Sequence, residues 1–417
     1  MSARHIHIVG AGMAGLAAAL QLSLSDEKVT LYEAAPFAGG RCRSFFDRDL
    51  DHRIDNGNHL VLSGNAAVQD YLYLSNATET MGGPGAALFP FLDLKTNERW
   101  TVRMNKGRVP LWLLDKNRRI PGVSFANTIK SLIKLALSSA DRVAECLDVT
   151  SPLYARFWEP FVIGVLNTEP ELASSELLAT ILGQSFAAGG AACIPLIPKI
   201  GLSETFVQPC LNVLRQHDVD VHYNYRLRGI AVDDKQVREL DFNGNVVEVG
   251  PEDWVIFALP AWVTQGLLPE IIIPNDFRSI VSAHFRVDGV NDPVGFTGLV
   301  GGLAEWVFTR DGIISATVSC AERYGNYPVR DMAYYIWQDV AKLFNFEPET
   351  IPPHRIFKEK YATFAATPEQ NLRRPNSYIG WKNLALAGEW TNTSLPSTIE
   401  GAIRSGFKAA QVVKRWA

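Results

Sequence analysis

The sequence predicts an α/β protein in which a Rossmann-type dinucleotide-binding domain is interrupted by a discontinuous α+β substrate domain. Three observations carry this. His7-Ile8-Val9-Gly10-Ala11-Gly12-Met13-Ala14-Gly15-Leu16 is a short apolar strand running through G-x-G-x-x-G into a helix. Far along the chain, Leu384-Ala385-Leu386-Ala387-Gly388-Glu389 and Pro396-Ser397-Thr398-Ile399-Glu400-Gly401-Ala402-Ile403 read as a second apolar strand, a turn and a helix start. Between them lies a stretch of short strands with a different texture. One glycine turn holds a dinucleotide; two, with a long chain between them, suit a cofactor with two ends to hold.

Taken in order, residues 5–10 form a strand, 13–24 a helix and 28–33 a second strand ending in Glu33, a βαβ opening of Rossmann length. The chain then loops through Gly39-Gly40-Arg41 to Arg53-Ile54-Asp55-Asn56-Gly57-Asn58-His59. Residues 80–185 are helical and aromatic in character, without an alternating strand pattern. A helix suits 201–216, and strands at 219–223, 226–232, 237–242 and 246–249 are separated by Asp-Asp and Asn-Gly turns. Residues 253–260 are a buried strand ended by proline. Strands at 277–287, 296–301, 304–310 and 313–320 form an antiparallel meander, followed by a helix over 328–345. The return strand 384–388 and a helix over 398–414 finish the fold. The expected division is 1–80, 195–275 and 375–417 for the cofactor, with 81–194 and 276–374 for the substrate.

Composition narrows the class. The 417 residues are enough for two domains with a large core, and 47% apolar with 20% charged is ordinary for a globular protein. A net charge of −4 gives no reason to expect a nucleic-acid partner. Cys42, Cys146, Cys193, Cys210 and Cys320 are odd in number and scattered. That favours a reducing compartment over a disulfide framework or a metal site. The first apolar run is already the glycine turn, so no secretory signal is expected, and no run is long enough to span a bilayer. The expected location is cytoplasmic.

The chemistry of the motifs points to a flavin. Gly10 permits the tight turn, Gly12 lets backbone amides approach a pyrophosphate, and Gly15 lets helix and strand pack closely. The helix start through Met13 and Ala14 offers unpaired N–H groups to phosphate, and Glu33 can accept from ribose hydroxyls. This motif alone leaves NAD and FAD both open. Gly40 and Arg41 just beyond the ribose acid suit phosphate and ribityl groups. Gly388 and Glu389 then follow a buried strand, and the helix opening at Thr398 and Ile399 would aim its amides at the edge of a flat ring. The coupling of the two ends favours FAD.

These features resemble the amine oxidase and phytoene desaturase superfamily of FAD proteins, and the fold it implies is amine oxidase/phytoene desaturase-like. Within it, Asp55-Asn56-Gly57-Asn58-His59-Leu60 is similar to the D-N-G-x-H-L segment of the squalene-associated FAD-dependent branch, the hydroxysqualene dehydroxylase family of bacterial hopanoid pathways. Trp158-Glu159-Pro160 with Leu166-Asn167-Thr168 resembles its W-E-P … L-N-T stretch. Ala387-Gly388-Glu389-Trp390-Thr391 with 395–402 resembles its A-G-[DE]-W-T … L-P-[AS]-T-I-E-G-A ending. The likeness runs nearly end to end; Asn58 departs from an expected glutamine, and both are neutral amides. The resemblance implies adenosine and phosphate contacts from Gly10, Ala11, Gly12, Met13, Ala14, Gly15, Glu33 and Ala34, with the backbone of Leu227 at the adenine. It implies Gly40 and Arg41 at the ribityl chain, Gly57, Asn58 and His59 on one side of the isoalloxazine, and Gly388, Glu389, Thr398 and Ile399 on the other.

The implied substrate is hydroxysqualene, the implied electron source NAD(P)H or a reductase, and the implied reaction reductive loss of the hydroxyl. Trp112, Trp158 and Phe161 are candidates to line a greasy tunnel. For the proton donor, His59 stands first, Glu159 in apolar surroundings second, and water remains open. Glu400 reads as a first-turn acid complementing its own helix dipole. A carotenoid-type desaturase running the flavin in the other direction, and a non-catalytic flavin-binding subunit of a lipid-synthesis complex, are the rival readings. Over 111–137, Leu111-Trp112-Leu113-Leu114 leads into Lys116, Arg118 and Arg119, then Phe125, Ile129, Leu132, Ile133, Ala136 and Leu137 at helical spacing with Lys130 and Lys134 beside them. This is either a peripheral membrane contact, on the inner face of the cytoplasmic membrane, or a helix that covers the substrate domain.

Overall fold

The computed structural model describes residues 4–25, 27–290, 292–325 and 327–415. Five strands form a parallel sheet in the order Asp220–Tyr223, Lys28–Glu33, His5–Val9, Trp254–Phe257 and Leu384–Leu386. Its central members are apolar on both faces: Ile6, Ile8, Val255 and Ile256 are fully buried. Because every strand runs the same way, Gly10, Glu33, Ala258 and Gly388 follow their strands at one edge, where α/β sheets carry their ligands.

The helices that cover this sheet come from opposite ends of the chain. Met13–Ser23 is rich in alanine, and Ala14, Ala17 and Ala18 are buried. It packs on Ile399–Arg415 so tightly that a Cβ at Gly406 would lie 2.2 Å from the Ala14 carbonyl oxygen. A small antiparallel sheet, Gly229–Asp233, Gln236–Phe242 and Asn245–Glu248, covers the other face, with Phe242 stacked on Tyr32 at 4.5 Å.

The second large sheet has seven strands, in the order His354–Phe364, Phe277–Arg286, Ile313–Val318, Trp306–Arg310, Phe296–Val300, Leu88–Asp93 and Arg99–Arg103. The meander over 277–320 is present, with strand ends shifted by one or two residues from expectation. Two expectations need correction. Residues 80–185 are not without strands, because Leu88–Asp93 and Arg99–Arg103 form a hairpin and Leu88–Asp93 joins Phe296–Val300 in parallel. The hairpin turns on Asp93, whose Oδ1 accepts the Lys95 and Thr96 amides, and on Asn97 at φ +60°. The strand His354–Phe364 lies at the edge of the sheet, where charge is tolerated, and its lysines and glutamate mask the alternation in the sequence. The strand expected from 226 begins only at Gly229.

The stretch Leu166-Asn167-Thr168 clasps the helix Glu159–Leu166 to that sheet. Asn167 is its left-handed C-cap at φ +48°; its Oδ1 accepts the Cys320 amide at 2.6 Å and its Nδ2 donates to Thr363 Oγ1 at 2.9 Å. Thr168 Oγ1 accepts the Ala366 amide at 2.9 Å. Replacing Gly406 by valine should separate the first and last helices and cost about 1–3 kcal/mol. Urea unfolding of the holoprotein checks this, and an unchanged midpoint would mean the close approach is not required.

Candidate active site

Gly10 has φ +107°, and a Cβ there would meet the Ala258 carbonyl oxygen at 2.3 Å, so only glycine fits. A Cβ on Gly15 would strike the Gly10 carbonyl oxygen at 1.8 Å. Gly12 is the opposite case: an added Cβ would find nothing within 4 Å. The helix that begins at Met13 has no side-chain cap and no acid in its first turn. Open space in front of uncapped amides is what a pyrophosphate requires, so these residues fit a dinucleotide. Glu33 closes the turn. Its Oε2 accepts the Ala11 amide and its Oε1 the Ala35 amide, both at 2.8 Å, and it retains lone pairs for hydroxyls. Ala34 lies between these contacts. The Tyr225 amide donates to the Glu33 carbonyl at 2.8 Å and the Asn224 amide to that of Ala35 at 3.2 Å, which brings buried Leu227 to the same corner.

The opposite wall joins the two ends of the chain. The Gly39 amide donates to the Ala11 carbonyl at 2.8 Å, and Gly40, at φ +56°, lies against Gly12. Arg41 pairs with Glu389 at 2.6 Å and donates to the Ala362 carbonyl at 2.5 Å. Burial lowers the Arg41 pKa, but Glu389 and Glu359 together outweigh it and the net shift is upward. Gly388, at φ +147°, leaves no room for a side chain, since a Cβ would be 2.4 Å from the Trp390 indole nitrogen. Thr398 Oγ1 accepts the Gly401 amide at 3.0 Å and caps the helix opening at Ile399.

Glu400 corrects an expectation. It stands in the first turn of that helix, yet its carboxylate accepts the Ala67 and Val68 amides at 3.2 and 2.9 Å. It therefore caps the neighbouring helix Ala66–Leu74, while Arg404 pairs with it at 2.8 Å. No motif in the sequence marks Arg374. Buried, it donates to the carbonyls of Glu389 and Thr391 and to Thr393 Oγ1 at 3.1, 2.5 and 2.9 Å, shaping the loop after Gly388. Burial pushes its pKa down to about 10, so it stays charged at neutral pH.

The loop 55–60 rests on the inner face of the seven-stranded sheet. Asp55 anchors it: Oδ1 accepts from Ser44 Oγ at 2.6 Å and the Leu202 amide at 3.0 Å, and Oδ2 pairs with Arg310 at 2.7 Å. A Cβ on Gly57 would come 3.8 Å from Ser282 Oγ, and Asn58 Nδ2 donates to Thr317 Oγ1 at 3.1 Å. His59 lines a recess with Asp55, Asn58, Arg310 and Ser315. Burial pushes the His59 pKa down to about 4 despite Asp55, so the ring is neutral at pH 7. Beneath the loop, Ser282 faces Thr317 and His284 faces Ser315 across the strands, with His284 Nδ1 2.7 Å from Ser315 Oγ. These polar residues alternate with buried apolar neighbours along their strands, a pattern visible in the sequence.

The structure does not bring Glu159 into apolar surroundings. Its side chain is exposed, and partial desolvation with the neighbouring Glu171 raises its pKa. Trp112 and Trp158 are packed in the core, whereas Phe161 is half-buried and stacks on Phe157 at 5.2 Å.

The profile of the flavin-containing amine oxidoreductase family matches residues 13–414. The chain belongs to that family. Within it, the chain groups with the hydroxysqualene dehydroxylases. It is 41% identical over 412 residues to the hydroxysqualene dehydroxylase of Sinorhizobium fredii, with 98% of each chain covered. Identity to the enzyme of that name from Rhodopseudomonas palustris is 38% over 409 residues, again with 98% of each covered. Cyclohexylamine oxidase from Brevibacterium oxydans shares the fold, with a TM-score of 0.70 over 99% of each chain at 14% identity. Membership of this flavin family makes the protein an FAD-dependent oxidoreductase.

His7 and His284 are 1% and 0% exposed, and burial pushes both from 6.5 down to about 4. Each ring is neutral when folded and gains a proton on unfolding below pH 6.5. Their contribution to stability is therefore complete above about pH 6.5 and is lost as pH falls toward 4, at up to about 1.4 kcal/mol per pH unit per ring. Urea midpoints between pH 7 and pH 5 should fall less steeply in His284→Gln than in the wild type. Parallel slopes would mean that His284 takes up a proton in the folded state.

Proposed function

We propose that the protein removes the hydroxyl of hydroxysqualene reductively, giving squalene and water, as a step of hopanoid or triterpenoid synthesis. The observation that carries this is 38–41% identity over 98% of the chain to proteins named for that reaction. The C–O bond breaks, a C–H bond forms at the same carbon, and the hydroxyl leaves as water after taking a proton. FAD, bound and reduced, supplies the hydride and is oxidised.

The residues Gly10, Gly12, Met13, Gly15, Glu33, Gly40 and Arg41 would hold the adenosine and pyrophosphate half. Gly57, Asn58 and His59 would face the ring on one side, with Gly388, Glu389, Thr398 and Ile399 on the other. A neutral His59 can orient the substrate hydroxyl through its ring N–H and, once protonated, donate to it. Glu159, being exposed, is the weaker donor, and water in the recess can also serve. Electrons would come from NAD(P)H acting transiently or through a reductase, since the described residues contain one parallel dinucleotide sheet.

Anaerobically photoreduced protein mixed with hydroxysqualene should reoxidise its flavin with formation of matching squalene. Flavin that stays reduced beside unchanged hydroxysqualene would overturn the reading and make oxidised protein with polyene precursors the next test. His59→Gln should lower the reoxidation rate by roughly 10²–10⁴-fold if His59 delivers the proton; a loss below about tenfold would assign it to positioning.

Access for such a lipid fits peripheral membrane contact over 111–137. The helix Phe125–Leu137, capped by Ser124, buries only Leu135, while Phe125, Ile133 and Leu137 are exposed beside Lys130 and Lys134. Leu111 and Leu114 are exposed as well. An apolar strip flanked by lysines suits an anionic leaflet. No helix of the described residues is long and apolar enough to cross a membrane. Replacing Lys130 and Lys134 together by glutamate should weaken sedimentation with anionic liposomes by at least roughly 30-fold, at about 1 kcal/mol for each lysine lost before the repulsion of the new carboxylates. Undiminished sedimentation would leave the strip as a covering helix.

A further inference from the structure

At the edge of the parallel sheet opposite the glycine turn, two imidazoles and a carboxylate converge. His5 and His7 lie two residues apart on one strand, so their side chains share a face, and their rings are 3.9 Å apart. Asp253 approaches from the residue before the adjacent strand Trp254–Phe257. One ring nitrogen from each histidine and a carboxylate oxygen of Asp253 lie within 4.8 Å of one another.

Each group is held by a second contact. His5 Nε2 meets Thr30 Oγ1 at 2.8 Å, and His7 Nδ1 meets the Tyr32 hydroxyl at 3.2 Å. Asp253 Oδ1 accepts the His5 amide and Oδ2 the Gly250 amide, both at 2.9 Å. A hydroxyl on one ring nitrogen is how metal-ligating imidazoles are oriented, with the opposite nitrogen left for the ion. His7 shows that opposite nitrogen without a partner: its Nε2 is buried, makes no hydrogen bond, and stands 4.0 Å from Asp253 Oδ2. That gap is too long for a hydrogen bond. Ligands on one tetrahedral zinc stand roughly 3.3–3.5 Å apart, so the His7–Asp253 pair must close by about half an ångström, and no pair by more than about 1.5 Å, to admit the ion.

We propose that His5, His7 and Asp253 bind one divalent transition-metal ion, zinc by preference. Two neutral imidazoles and one carboxylate are a borderline-soft donor set that suits zinc, and half-exposed His5 leaves a position for water. Lys28 opposes a cation here and Asp220 favours one. Five residues of extended strand, about 16 Å, separate His5 from Gly10, so the ion is a clamp between adjacent strands with no part in flavin chemistry.

The test uses tag-free holoprotein dialysed against EDTA and titrated with zinc against a chromophoric chelator at pH 7.5. All five cysteines are buried, so thiols do not compete. One equivalent should bind and raise the thermal midpoint, and cobalt should give visible bands beyond the flavin absorption. His5→Ala, at a half-exposed position, should weaken binding roughly tenfold or more, while His354→Ala, at an exposed position, should not. No zinc retained by the wild type, or equal retention by His5→Ala, overturns the proposal.

Discussion

Gly406 lies so near the Ala14 carbonyl that even a methyl group would reach to 2.2 Å of its oxygen. This contact sets how closely the last helix sits on the first, and the cofactor edge depends on it. With that spacing, Thr398 and Ile399 reach the same edge as Gly10 and Gly12, and Arg41 can span to Glu389 at 2.6 Å. Both walls of the site are glycine-rich for the same reason. Backbone has to approach backbone, or the cofactor, without an intervening Cβ.

Carboxylates do most of the organising around that edge. Glu33 ties the glycine turn to its own strand, Asp55 ties the loop 55–60 to Arg310, Glu389 holds Arg41, and Glu400 caps a neighbouring helix. Each accepts hydrogen bonds from backbone amides or pairs with an arginine. With these carboxylates occupied by structural partners, His59 and Asn58 are the remaining polar side chains of the loop 55–60 that line the recess.

The dinucleotide half was legible because its physics is local. Strand, glycines, helix start and Glu33 follow one another within thirty-odd residues, as one βαβ unit. The return strand Leu384–Leu386 and the family motifs were legible as well. What escaped was decided by distant partners. Leu88–Asp93 is a strand because Phe296–Val300 lies beside it, and Pro90 within it hides the pattern. Glu400 looked like an ordinary first-turn acid until Ala67 and Val68 stood opposite it. Asn167 and Thr168 matched a family motif but act as a clasp to Cys320, Thr363 and Ala366, a role that no spacing reveals. Arg374 carries no motif, since its partners are carbonyls supplied by the folded loop.

The parallel sheet is threaded out of chain order, and this bears on synthesis. Trp254–Phe257 pairs with His5–Val9 on one side and waits for Leu384–Leu386 on the other. While residues 258 to 383 are being made, a strand that ends fully buried has one unpaired edge. Such an edge can recruit other nascent chains. A ribosome stalled in this interval would present the glycine turn complete in sequence, yet without the wall that Gly388 and Ile399 provide. Assembly of the candidate flavin site is thus a late event, tied to the arrival of the final helix.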